Sequence, residues 1–430
     1  MHGAATTVEA AGQGAGASSV DPRAPMRSGA GAGQASRSIL FLAQLPPPVH
    51  GVTNMSAHVM RILSGLPDVT VEHLWLGGAR SLHDVGRKSA SKIAGFGLLL
   101  LRLAWRWLVR RRYSFTYQTL APHGQAAVRD ALIIWLSKRL APRALVHLHT
   151  QGLDEILTGR GWRNRFIRWA LDGTELIAIS GHVAELAEAH GDFSAVHELP
   201  NLVADPGPPG VRAGDKLRCG FLGNFDTRKG VLRFVDIVAG IKARGIAVEG
   251  FIAGGATRQL GSEDLVAYVT AAGLGGEISV LGFISEEEKS RRLGGLDLFI
   301  YPSEHDLAPL VVLEAMAHGA VPIVYDTGGL REMVGPAFVG NVVGRSDTAA
   351  ARVAMAVEAA VRAASDRGTL RANQAAARAH YEANYTPEVY ARRLADVVGD
   401  RHNAAVPASV SVPMTRRSAS TSRARSSEQK

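Results

Sequence analysis

The sequence predicts an α/β protein built from two doubly wound domains. Short apolar, β-rich runs alternate with longer stretches of helical periodicity from Ile39 onward, and a single segment rich in proline and glycine interrupts the alternation. Strands separated by helices form parallel sheets covered on both faces. A chain of 430 residues also has room for two to three domains at about 150 residues each.

Residues 1–36 are Ala, Gly, Ser and Gln with scattered charges and read as a disordered tail. The first domain, 37–200, has strands near Ile39–Gln44, Thr70–Trp75, Ser114–Thr119, Ala144–His149, Glu175–Ile179 and Val196–Leu199, with a helix from Asn54 to about Ser64 after the first strand. Asp205-Pro206-Gly207-Pro208-Pro209-Gly210 then breaks the pattern, because proline lacks the ladder donor and glycine the stiffness of a central strand. The second domain, 201–380, repeats the plan with strands near Leu217–Leu222, Val248–Ala253, Ile278–Leu281, Leu296–Tyr301, Val321–Tyr325 and Asn341–Val343. A helical pattern from Pro387 to Val398 falls in a C-terminal segment, 381–400, that can pack on either domain, including by crossing back to the first. Residues 401–430 form a basic tail without periodicity.

Lys and Arg number 48 against 39 Asp and Glu, a formal charge of +9, and the excess is localised. The stretch from Arg401 onward holds six basic residues and one acid, and Arg87 to Arg112 holds eight basic residues and none. The rest of the chain carries a small net negative charge, so a nucleic-acid-binding face is not expected. The single cysteine, Cys219, excludes a disulfide framework and a multi-cysteine metal site. A reducing, cytoplasmic compartment is expected, since the N-terminus has no charged region followed by an apolar run and a small-residue cleavage site.

In doubly wound domains ligands bind where loops leave the carboxyl ends of the strands. The first such loop is Leu45-Pro46-Pro47-Pro48-Val49-His50-Gly51, where Gly51 lets backbone approach an anion as a helix opens, or the prolines simply stiffen a turn. Phe221-Leu222-Gly223-Asn224-Phe225-Asp226-Thr227-Arg228-Lys229-Gly230 sets two cations just before a helix. They suit a diphosphate, or they are a solvated basic pair. In Tyr301 to Gly319, Asp306 lies in a loop and Glu314 eight positions later in a small-residue helix. Carboxylates accept paired hydrogen bonds from vicinal hydroxyls, although either acid can instead complement a helix dipole.

With these blocks in order the chain resembles family 4 glycosyltransferases of the GT-B fold, over about residues 38 to 398. The matching segments are the PPPVHG loop, His147-Leu148-His149, Ser180, Pro200-Asn201, FLGNFDTRKG, Ile252-Ala253-Gly254-Gly255, Leu281-Gly282-Phe283-Ile284, and the acid-pair segment through Gly328-Gly329-Leu330-Arg331-Glu332. The resemblance implies two facing Rossmann-like domains across a deep cleft and retaining transfer of a hexosyl group from a nucleotide-diphosphate sugar, UDP- or GDP-linked. The first domain would hold a saccharide or polyprenyl-linked acceptor, for envelope polysaccharide or glycolipid synthesis, and the second domain would hold the donor. Gly51, Gly223, Asn224, Arg228, Lys229, Ile284, Val311 and Glu314 would bind the donor. Asp306 would hold donor-sugar hydroxyls and His149 would lie near the anomeric carbon, unless it is a core histidine.

Two residues depart from the family pattern. Asp306-Leu307 stands where Glu-Gly is usual, and Asn224 where many members have Arg. These departures motivate the rival reading of a non-catalytic sugar-nucleotide-binding partner; a same-fold epimerase is the other. No Asp-x-Asp tripeptide occurs, so the expected chemistry needs no cofactor or metal, with Lys229, Arg228 and helix dipoles balancing charge.

Arg102, Arg106 and Arg110 recur at four-residue spacing, with Leu98, Leu101, Trp105 and Leu108 around the same helix. This Arg87–Arg112 segment reads as an amphipathic basic helix for an anionic membrane surface on the cytoplasmic face, or as a domain helix with solvated arginines. No apolar run approaches the roughly 20 residues needed to span a bilayer.

Overall fold

A computed structural model describes residues 37–47, 51–76, 90–210 and 214–399; both tails, Pro48 to His50, and Arg87 and Lys88 lie outside the described residues. Strands Arg37–Ala43 (β1), Val69–Trp75 (β2), Phe115–Leu120 (β3), Ala144–Leu148 (β4), Glu175–Ala178 (β5) and Ala195–Glu198 (β6) form one sheet in the order β2-β1-β3-β4-β5-β6. A second sheet has the order β12-β11-β10-β7-β8-β9, from Leu217–Leu222 (β7), Val248–Ala253 (β8), Ile278–Val280 (β9), Leu298–Tyr301 (β10), Val321–Tyr325 (β11) and Val342–Val343 (β12). Every pairing is parallel; β1 and β2, for example, run in register from Arg37 opposite Val69 to Ala43 opposite Trp75.

Helices Gly51–Ser64 (α1), Ala90–Leu108 (α2), Gly124–Ser137 (α3), Leu153–Thr158 (α4), Trp162–Leu171 (α5) and Gly181–His190 (α6) cover the first sheet. Strand β1 shows why its run from Ile39 to Ala43 is wholly apolar. Ile39, Phe41 and Ala43 enter a core with Val59 and Leu63 of α1, while Leu40 and Leu42 enter another with Leu99 and Leu103 of α2. With period-2 side chains and helices on both faces, a strand has no polar side to keep.

The second sheet is wrapped by Val231–Ala243 (α7), Ser262–Ala271 (α8), Glu286–Gly294 (α9), Leu310–Ala317 (α10), Leu330–Val334 (α11), Ala349–Ala363 (α12) and Arg367–Asn384 (α13). Helix Pro387–Val398 (α14) crosses back to the first sheet, where Tyr390, Leu394, Val397 and Val398 pack with Phe41, Leu145 and Ile177. Arg143 caps its end, donating to the carbonyls of Val397 (2.7 Å) and Val398 (3.3 Å). The connection from Asn201 to Gly210 has no regular structure, as its prolines require.

Strand order reverses beside β1 in the first sheet and beside β7 in the second. At a reversal, neighbouring loops leave in opposite directions and open a crevice. The loops after β1, β7 and β10 therefore hold the residues that matter most.

Candidate functional site

The loop after β7 closes in a short 3-10 turn, Thr227–Lys229, whose N-cap Asp226 accepts from the Arg228 amide at 2.8 Å. Gly230 ends the turn at φ +84°, and a Cβ there would lie 2.1 Å from the Pro302 carbonyl oxygen. Glycine thus lets the β7 loop lie against the β10 loop, an approach sealed by the Glu304 amide donating to the Arg228 carbonyl at 2.8 Å.

This contact brings Lys229 to Asp306. The Lys229 ammonium donates to Oδ1 and Oδ2 of Asp306 at 3.2 and 3.3 Å, and the hydroxyls of Tyr301 and Ser303 each donate to Oδ2 at 2.8 Å. Burial, then the neighbouring Asp306 charge, raises the Tyr301 phenol well above its ordinary range, so it stays a donor. Asp306 was expected to hold sugar hydroxyls; here both its oxygens already accept hydrogen bonds from its own chain. Tyr301 and Ser303, which the sequence reading passed over, surround it, and the signal was their position at the strand end beside the acid.

Arg228 is exposed and pairs with Asp226 at 3.1 Å, and Asn224 is exposed in the same loop. Gly223 is partly buried, its amide spent on the Ala253 carbonyl at 3.0 Å. Across the crevice, Gly51 opens α1, and a Cβ built on it would lie 3.8 Å from Leu310 Cδ1. Leu310 and Val311 open α10, which has no acid in its first turn and no side-chain cap. The starts of α1 and α10 bring the positive ends of two helix dipoles to this wall, where Lys229 and Arg228 are each paired with a carboxylate, Asp306 and Asp226.

Glu314, on α10, has one oxygen held by Lys289 of α9 at 2.8 Å; its other oxygen is buried without a partner among the described residues. Lys289 also pairs with Glu286 at 2.7 Å. Burial works against the Lys289 charge, but Glu314 and Glu286 outweigh it and its pKa is raised. The sequence reading missed Lys289, whose i,i+3 spacing from Glu286 was visible while its contact with α10 was not. Ile284 lies two residues before Glu286 and five before Lys289, beside Phe283, which is 80% exposed.

His149 follows β4 and stacks on His147 with ring centroids 3.9 Å apart, and His147 in turn bonds the Tyr117 hydroxyl at 2.7 Å. Burial lowers the His149 pKa to about 4 and the His147 pKa well below its ordinary value, so both rings are neutral near pH 7. Each has a buried Nε2 without a partner. Asn201 at the junction donates to the Ala308 carbonyl at 3.1 Å, and Glu332 on α11 accepts from the amides of Gly181 and His182 at 2.7 and 3.0 Å. These bonds and Leu307, which packs in a core with Leu148 and Ile179, join the two sheets' surroundings.

The basic helix differs from its sequence reading. Helix α2 ends at Leu108, leaving Arg110 beyond it at φ +56°. Arg106 is engaged with Glu72, which also accepts from Tyr113 at 2.6 Å. The expected three-arginine face is thus reduced to Arg102, because the central arginine neutralises a carboxylate of the neighbouring strand. Leu98, Leu101, Trp105, Trp107 and Leu108 of this helix are exposed, Leu101 at 69% and Trp105 at 62%.

Residues 209–398 match the family model described as "Glycosyl transferases group 1". The match begins in the connection between the two sheets and runs to the end of α14. A curated relative, 2-deoxystreptamine N-acetyl-D-glucosaminyltransferase of Streptomyces fradiae, is 31% identical over 175 residues, covering 37% of this chain and 40% of the relative. The chain spans 40% or less of the length of the curated relatives it matches. Sucrose-phosphate synthase from Thermosynechococcus elongatus superposes with TM-score 0.63 at 16% identity, over 84% of this chain and 98% of that one. The Anabaena HepE protein in complex with UDP and glucose superposes with TM-score 0.56 at 17% identity, over 84% of this chain and 99% of that one. The fold is GT-B.

Proposed function

We propose that this protein is a retaining, metal-independent hexosyltransferase of glycosyltransferase family 4. It would move a hexosyl group from a UDP- or GDP-sugar to a saccharide or polyprenyl-linked acceptor in envelope polysaccharide or glycolipid synthesis. The observation that carries the reading is the Lys229 ammonium, in the loop after β7, held 3.2 Å from Asp306 of the loop after β10, at the strand-order reversal. The bond from the anomeric carbon to the phosphate oxygen breaks, the acceptor hydroxyl oxygen bonds to the same face of that carbon, and its proton passes to the departing diphosphate oxygen, on which negative charge develops as the bond opens. Fixed donors and cations aimed at that charge stabilise the transition state. In this reading Gly51 and Val311 offer amides to the diphosphate, Glu314 holds the ribose, Ile284 meets the base, and Asp306 fixes the Lys229 ammonium beside the bond that breaks. The neutral His149 ring borders the sugar.

The exposed Leu and Trp side chains of α2, with Arg102, support a peripheral position on the cytoplasmic face of a membrane, where aromatic residues sit at the headgroup level. Among the described residues no helix is long and apolar enough to cross a membrane.

The test is thermal stability with UDP, GDP, ADP and CDP, for wild type and Lys229→Met. A ligand of the folded state adds about 2.7 kcal/mol at a hundredfold excess over Kd. A shift with at least one nucleotide, reduced in Lys229→Met, is the expected result; no shift with any of them refutes the donor site. The engagement of both Asp306 oxygens favours one second reading, a sugar-nucleotide-binding partner without turnover. Binding with no transfer across donor and acceptor panels would establish it.

A further inference from the structure

The first domain carries a groove that the donor site leaves unused. It lies between α2, α3 and α5, has a volume of about 500 Å³, and is walled by Phe96 of α2, Gly124, Val128 and Leu132 of α3, and Trp162 and Arg163 of α5. These walls are mainly apolar. A helix that links two parallel strands begins at the carboxyl edge of the sheet, the edge on which ligands bind. Gly124 opens α3 after β3, and Trp162 opens α5 after β4 and the short α4, so this end of the groove lies on the crevice side. His149 is on the same edge: His123, the residue before α3, packs against Gly152 so closely that a Cβ there would collide with its ring.

The crevice end is also cationic. Helix α5 has no acid in its first turn and no side-chain cap, which leaves the positive end of its dipole open. Arg160 and Arg163 flank that start, and neither has an ion-pair partner among the described residues. Arg129, which also lines the groove, is instead paired with Asp130 at 2.7 Å. Trp162 is 70% exposed beside them. An apolar trough that ends in unmatched positive charge and an indole complements an amphiphile, one hydrocarbon chain carrying a phosphate. A peptide fits less well, because its backbone groups would find few partners on these walls.

We propose that this groove holds the hydrocarbon chain of a polyprenyl-linked acceptor, with its phosphate against Arg160, Arg163 and the start of α5. The saccharide beyond the phosphate then enters the crevice beside His149. This rests on the glycosyl-transfer reading above and gives its acceptor a place.

Isothermal titration of the full-length protein with farnesyl phosphate, farnesol and inorganic phosphate tests this. Farnesyl phosphate is expected to bind at least about tenfold tighter than either of the others, since it alone supplies both chain and charge. Arg160→Glu/Arg163→Glu should weaken farnesyl phosphate at least about tenfold and leave farnesol within about threefold. Val128→Trp, which fills the trough, should weaken both; the arginine pair, at a helix start, keeps the test open if Val128→Trp does not fold. Lys229→Met should leave farnesyl phosphate binding unchanged, which places it outside the donor site. Equal binding of farnesyl phosphate and inorganic phosphate, no change in the arginine pair, or loss in Lys229→Met overturns the groove. Equal affinity for a short two-chain phosphatidic acid assigns the groove to bulk membrane lipid and overturns the acceptor. If farnesyl phosphate binds as expected while no nucleoside diphosphate does, the groove stands as a lipid-phosphate site and the transfer reading falls.

Discussion

The pH dependence of stability tests how His149 is held. Its folded pKa is about 4, pushed down from 6.5 by burial. A depressed folded value means that the unfolded chain takes up the proton first as pH falls. The stabilisation is therefore complete above pH 6.5 and is lost progressively between 6.5 and 4. For one such group the loss between pH 7 and pH 5 is about 2 kcal/mol. The assay is urea unfolding of wild type and His149→Gln at pH 7, 6 and 5. His147 and the other titrating groups are common to both proteins and largely cancel in the difference, as does any fixed cost of the substitution. Wild type should lose about 2 kcal/mol more than the variant over this range. Parallel curves, within about 0.5 kcal/mol, would mean that the imidazole titrates as it does in water, and the argument that a neutral ring borders the crevice would fail.

Two further predictions follow from side chains the structure brings together. Asp306→Asn removes a negative charge beside Lys229, so nucleoside diphosphates should bind about three- to tenfold tighter while transfer falls; weaker binding by titration calorimetry would contradict the anion wall. Trp105→Glu/Trp107→Glu should reduce flotation with anionic vesicles severalfold, whereas Arg106→Ala should leave flotation unchanged and lower urea stability by about 1 kcal/mol; equal flotation of all three proteins would remove the membrane reading.

The fold was legible because its signal is local. All twelve strands lie where apolar, β-rich runs predicted them, most shifted by a residue or two, and the proline-rich break falls between the two sheets. Strand β9 is a short run, Ile278–Val280, and was still visible because turn residues bound it. The reach of α14 was less legible. Its apolar positions Val389, Leu394 and Val397 fit any core, and what fixes it on the first sheet is Arg143, more than two hundred residues away in sequence.

For the candidate site the sequence offers a set of residues and little about their partners. Motif order identifies Lys229 and Asp306 in loops that follow strands and Glu314 on a helix, but says nothing of which already bond each other. Asp306 shows the consequence: a carboxylate that reads as a sugar ligand has both oxygens occupied, by Lys229, Tyr301 and Ser303. Arg106 shows the same in reverse, since the periodicity that set it on a basic face cannot register Glu72 on the adjacent strand. In both cases a long-range ion pair reassigns the charge. Among the described residues, the second oxygen of Glu314 and the Nε2 atoms of His147 and His149 are buried without partners, and these are then the informative groups. A buried polar atom without a partner is costly, and a bound donor molecule would remove that cost at Glu314.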